Sequence, residues 1–135
     1  MAKPPTVADL TWISDLQFLA VSDKTSITLD SAGIAGPSPV QALAFALAGC
    51  MSMDVAFILT KGRFTFHGLR AHLSAERSPD DPHRLVSVTI HFTVEGAVPP
   101  DAVARAIALS HDKHCSVWHS MRQDIVFTTT YDVLP

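Results

Sequence analysis

The sequence predicts an α+β fold, and three observations carry that prediction. The first third is a series of short β-prone pieces. A long run rich in alanine and leucine follows, from Val40 to Thr60. After it come two segments in which apolar and polar residues alternate strictly, the signature of strands with one face on a core and one face wet. Strands and helices thus occupy separate stretches of the chain, as they do in α+β proteins.

Each element has a local cause. Leu10–Ile13, Gln17–Val21 and Ser26–Asp30 are enriched in residues that favour strands, and Ser14-Asp15 and Ser22-Asp23-Lys24 separate them as turn formers. A loop from Ser31 to Gly36 leads to Pro37-Ser38-Pro39, a helix start with Ser38 as N-cap and Pro39 in the first helical position. The helix that follows is apolar on all sides and ends near Lys61-Gly62. Such a helix is either a core helix or a membrane span. Asp54 within it, and the amphipathic strands around it, favour a core helix covered on every side, partly by a second subunit.

In Leu69–Glu76 the odd positions are apolar, and in Val86–Val94 the even ones are. The intervening Ser78-Pro-Asp-Asp-Pro-His83 is turn chemistry, so the two segments form a hairpin. Pro100-Asp101 opens an amphipathic helix from Ala102 to about His111, with Val103, Ala106, Ile107 and Ser110 near one face. That helix is expected to break around Lys113–Ser116. A short helix from Val117 to about Arg122 and a last strand, Ile125–Val133, complete a single domain over residues 1–135.

Composition narrows the function. The chain has 135 residues, 47% of them hydrophobic and 17% charged, and a formal net charge of −3, which excludes a disordered chain. No basic run is present, so neither nucleic acid nor an anionic membrane is expected as a partner. The surplus of apolar residues is consistent with an oligomer. The first ten residues contain no apolar signal-peptide core, which makes a reducing cytoplasm the expected location.

Two cysteines are too few for a disulfide scaffold; they are either inert core thiols or redox chemistry. Cys50 lies mid-helix beside Gly49, which costs a helix about 1 kcal/mol relative to alanine and suggests close approach of another backbone or a substrate. Asp54 follows Cys50 by one turn, on its face, with a hydrogen bond or an ion pair across an interface as its expected roles. Cys115 lies at the helix break after Lys113 and His114, where free backbone N–H groups and positive charge favour a thiolate. His111, His114 and His119 surround Cys115 but lack the paired spacing of zinc ligands, so no metal is expected. His67, His72 and His91 fall on or near the polar strand face and are expected to be solvated.

Two segments, Pro37–Leu43 leading through Ala48-Gly49-Cys50 to Met53-Asp54-Val55, and Leu109–Val117 around Cys115, resemble the OsmC/Ohr superfamily. Ser74–Arg77 and Tyr131-Asp132-Val133 make the chain most similar to the less characterised OsmC-like branch. The resemblance implies antiparallel sheets packed on two long central helices in an intertwined homodimer, with active sites at the interface and no cofactor. It implies reduction of organic hydroperoxides in oxidative-stress defence, with Cys50 as the peroxidatic thiol, Cys115 as the resolving thiol, and an external dithiol as reductant. Leu47, Gly49, Met53, Asp54 and His114 are the implied substrate-binding residues. The family's thiolate-activating arginine and glutamate have no counterpart: no arginine precedes Arg63, and Val40 stands at the glutamate's place. Lys113, Arg77 or a histidine are the expected substitutes. The alternative reading is a non-enzymatic dimer that binds an apolar or thiol-bearing small molecule.

Overall fold

A computed structural model describes residues 2–135. Strands β1 (Asp9–Ser14), β2 (Gln17–Ser22) and β3 (Thr25–Asp30) come first, then helix α1 (Pro39–Lys61). Strands β4 (Gly68–Arg77) and β5 (Leu85–Glu95), helix α2 (Pro100–Leu109) and strand β6 (Val126–Leu134) complete the chain. The chain forms two compact units, one ending at Phe45 and the other Ala46–Pro135.

The first unit is built on an antiparallel sheet in the order β1-β2-β3. Its two tight turns place Asp15 (φ 49°) and Asp23 (φ 52°) in the left-handed region, which aspartate tolerates better than most residues. After β3 the loop is organised by the Asp30 carboxylate, which accepts N–H bonds from Ala32, Ile34 and Ala35. Those bonds hold its carboxyl below the usual carboxylate range. Gly36 passes so close to the Thr28 carbonyl that a side chain there would collide with it.

Helix α1 opens as the sequence predicts. Gln41 N–H donates to Ser38 Oγ at 3.2 Å and Ser38 N–H donates to Gln41 Oε1 at 2.9 Å, a reciprocal capping box worth about 1 kcal/mol. The far end differs in detail. Phe64 N–H reaches the Leu59 carbonyl and Arg63 N–H the Thr60 carbonyl, so the left-handed capping residue is Arg63 (φ 65°) and not Gly62. Burying Phe64 against the core on the far side of the cap offsets the poor backbone fit of arginine.

In the second unit α1 buries a narrow stripe: Leu47, Met51, Val55 and Leu59, spaced one turn apart. This stripe joins Val88, Ile90, Phe92 and Val94 of β5, and Val103, Ala106 and Ile107 of α2, in one core. The β4–β5 hairpin has the expected alternation, pairing Leu69 with Val94, Ala71 with Phe92 and Leu73 with Ile90.

Several expectations need correction. The second sheet, β4-β5-β6, is mixed and not antiparallel throughout, because β6 pairs parallel to β5. A parallel neighbour requires a crossover, and α2 with the turns after it supplies one, packing against β6. Helix α2 has 10 residues, about the length expected from the sequence, and the expected break after it is a five-residue π-helical turn, Ser110–His114. The short helix expected over 117–122 is a 3₁₀ turn, Trp118–Ser120. His91 is half-buried on the outer face of the sheet and not simply solvated, its ring lying 2.6 Å from Thr130 Oγ1 and 3.0 Å from Asp132 Oδ2.

Candidate functional site

The two cysteines, far apart in sequence, meet inside the second unit. Cys50 lies on α1, half-buried, on the stripe beside the core stripe; Cys115 follows the π turn and is fully buried. Both are free thiols, and Cys50 is near enough to Cys115 to help it keep its proton.

The fold places Cys115 through its backbone. Its N–H donates to the Ser110 carbonyl at 2.8 Å, closing the wide π turn. Its Sγ accepts the Trp118 N–H at 3.3 Å, at the start of the 3₁₀ turn. Trp118 anchors that turn: it is buried, stacks on His111 with centroids 5.6 Å apart and meets Phe127 edge-on at 4.6 Å.

Burial pushes the Cys115 thiol up to about 11 from an ordinary value of 9.0. The Trp118 N–H pulls the other way, and the neighbouring Cys50 adds to the rise. The backbone donors expected at this break are therefore present but lose to desolvation, and Cys115 is a neutral thiol near pH 7. A proton held more tightly in the folded chain than in the unfolded one gives stability that is complete below pH 9 and is lost as pH rises through about 11. Wild type is expected to lose on the order of 2–3 kcal/mol across that range relative to Cys115→Ala. Equal pH profiles of urea unfolding for the two proteins would contradict the assignment.

Asp54 resolves into the first of its expected roles. Its Oδ2 accepts a 2.8 Å hydrogen bond from Ser110 Oγ, and Ser110 is fully buried. Asp54 also borders a cavity of about 670 Å³, together with Phe57, Ile58, Leu109 and the cationic or ionisable Lys61, Arg105 and His114. Its lining mixes apolar side chains with charged ones, which suits a small organic molecule that also carries polar groups.

Of the other residues implied for substrate binding, His114 lines this cavity. Leu47 is a core residue, 1% exposed, and Met53 is 74% exposed on another side of α1. Outside its own helix, no described atom of this chain lies within 4 Å of where a Gly49 side chain would be, so the close approach expected there is not made by this chain. Arg77 is occupied in the β4–β5 connection, its Nε donating to the His83 carbonyl, while Lys113 is exposed on the π turn. His111, His114 and His119 do not converge: among the described residues no three such side chains could hold a metal ion.

Sequence reasoning missed Arg105, Lys61 and Phe57 as cavity residues. Ser110 was visible only as a polar residue on the apolar face of α2, and that misfit was the available signal that it has a partner.

Comparison with known proteins bears on the family and the fold. Residues 30–130 match the family model described as OsmC-like protein. Protein YhfA of Escherichia coli K12 is 35% identical over 130 residues, covering 94% of this chain and 97% of that protein. The crystal structure of an OsmC-like protein from Mycoplasma pneumoniae shares the fold with a TM-score of 0.86 at 16% identity, covering 99% of this chain and 100% of that one. An organic hydroperoxide resistance protein OsmC from Legionella pneumophila aligns over 100% of both chains with a TM-score of 0.70 at 10% identity. With the family model spanning most of the length and YhfA aligned nearly end to end, this chain belongs to the OsmC-like protein family.

Proposed function

We propose that this protein is a thiol-dependent reductase of organic hydroperoxides. The observation that carries the reading is the proximity of a half-buried thiol, Cys50, to a fully buried one, Cys115, with Asp54, one helical turn from Cys50, bordering a cavity of mixed apolar and charged lining. The Cys50 thiolate attacks the peroxide O–O bond. The distal oxygen becomes a sulfenic acid on Cys50, and the other leaves, with a proton, as an alcohol. The Cys115 thiol then condenses with the sulfenic acid; the S–S bond forms and water leaves. An external dithiol exchanges with that disulfide, becoming oxidised and restoring both thiols. Burial suits Cys115 to this order of events, because a neutral, enclosed thiol does not compete for peroxide.

The chemistry is tested by following the loss of cumene hydroperoxide in the presence of dithiothreitol. Steady consumption that saturates with peroxide supports it. Consumption no faster than dithiothreitol alone overturns it. A reducing, cytoplasmic setting fits two free thiols that must be regenerated.

The working form in this proposal is a homodimer. Phe57 is 66% exposed and Met53 more so, and β1–β3 expose Trp12, Ile13, Leu10 and Ile27. Monomeric soluble proteins rarely leave so much apolar side chain uncovered. Light scattering should give twice the 14.6 kDa chain mass, and a monomer would contradict the assembly.

The cavity also supports a second reading, a non-enzymatic binder of an apolar or thiol-bearing small molecule. That reading requires saturable binding that survives replacement of both cysteines.

A further inference from the structure

Ser110 has no local reason to be serine. It is fully buried, it follows an apolar helix face, and serine is a poorer helix residue than alanine. Its hydroxyl supplies the reason. The hydroxyl donates to Asp54 Oδ2 on α1 at 2.8 Å, and the carbonyl accepts the Cys115 N–H at 2.8 Å. Asp54 follows Cys50 by one helical turn, on the same side of α1. One short path therefore joins the two sulfurs through structure: Cys50, a single turn of α1, Asp54, Ser110, Cys115.

We propose that the Asp54–Ser110 hydrogen bond is a clamp that holds the Cys115-bearing turn against α1, making Asp54 and Ser110 positioning residues for closure of the Cys50–Cys115 disulfide. The role rests on the cysteine chemistry proposed above. A π turn is a wide and rarely extended geometry that needs support from outside itself. The hydrogen bonds of the clamp run through oxygen and backbone nitrogen and not through either sulfur. It acts by keeping Cys115 at high effective concentration beside Cys50.

The test uses no peroxide. The protein is equilibrated with mixtures of reduced and oxidised dithiothreitol; oxidised dithiothreitol takes up the two electrons and two protons that the protein thiols lose as their S–S bond forms. The fraction of Cys50–Cys115 disulfide is read by mass. Ser110→Ala and Asp54→Ala are each expected to lower the dithiol–disulfide equilibrium constant about fivefold or more, the scale of one lost hydrogen bond. Asp54→Asn, whose amide oxygen still accepts from Ser110, should stay within about twofold of wild type. If Ser110→Ala does not fold, the Asp54→Ala and Asp54→Asn pair carries the comparison. Wild-type constants in both alanine variants, or Asp54→Asn falling as far as Asp54→Ala, overturn the clamp while leaving the cysteine chemistry standing. A wild-type protein that never forms the bond overturns both.

Discussion

Replacing Cys50 by serine is expected to reduce hydroperoxide consumption to the background rate, the largest effect of any single substitution on activity. Serine keeps the size of the side chain but not the nucleophile, since a hydroxyl is almost wholly protonated near neutral pH and lacks the polarisable, high-energy lone pair that a thiolate offers the O–O bond. The remaining thiol cannot substitute. Cys115 is fully buried, and its pKa, near 11, keeps it protonated. The complementary variant has a different signature. Cys115→Ser leaves the attacking thiol intact, so the first turnover should still proceed and stop at a sulfenic acid on Cys50 that a dimedone-type reagent captures. Wild-type turnover in Cys50→Ser would remove Cys50 from the mechanism. A first turnover lost in Cys115→Ser would remove the division of labour between the two thiols.

Phe92→Ala should be the most destabilising of the core truncations, costing about 3–5 kcal/mol, a large share of a typical domain's stability. Phe92 is fully buried on β5, the central strand of its sheet, opposite Ala71 on one side and Tyr131 on the other. Alanine at position 71 is too small to fill the void from the β4 side. On the same strand Thr89 faces outward, and Thr89→Ala should change stability by no more than about 0.5 kcal/mol. Urea unfolding of the pair checks both numbers. A loss under 1 kcal/mol for Phe92→Ala would mean that β5 is not the centre of this core.

The elements that local chemistry dictates were legible. Ser38-Pro39 announced the start of α1, and the reciprocal bonds with Gln41 are the physical form of that signal. Alternation in β4 and β5 marked the inward rows, because a strand with one wet face writes its burial into every second residue. Decisions made by distant parts of the chain were not legible. Nothing in Val126–Leu134 states that it runs parallel to β5; that follows from where α2 returns the chain. The π turn at Ser110–His114 was expected only as a break, because its wide geometry depends on Ser110, Cys115 and a carboxylate one helix away. Arg63 as the capping residue of α1 defeats a rule that reads glycine as the stop, because burial of Phe64 decides the local geometry.

The site divides in the same way. Cys50 and Cys115 were singled out from their neighbours in sequence, and their pairing was implied by the family resemblance. Asp54 and His114 were placed by the same resemblance, and both border the cavity. Leu47 was not separable from the cavity residues by pattern, since a helix apolar on all sides does not reveal which apolar side chain faces the core. The cations at the cavity, Lys61 and Arg105, come from two helices whose juxtaposition is a property of the fold alone.

The most direct measurement treats the reduced wild-type protein with one equivalent of cumene hydroperoxide and digests it without reductant. A single new species is expected in the peptide map, the Cys50 peptide joined to the Cys115 peptide at two hydrogens below their summed mass, and it should vanish on adding dithiothreitol. Recovery of both peptides as free thiols, with the peroxide unspent, would contradict the account.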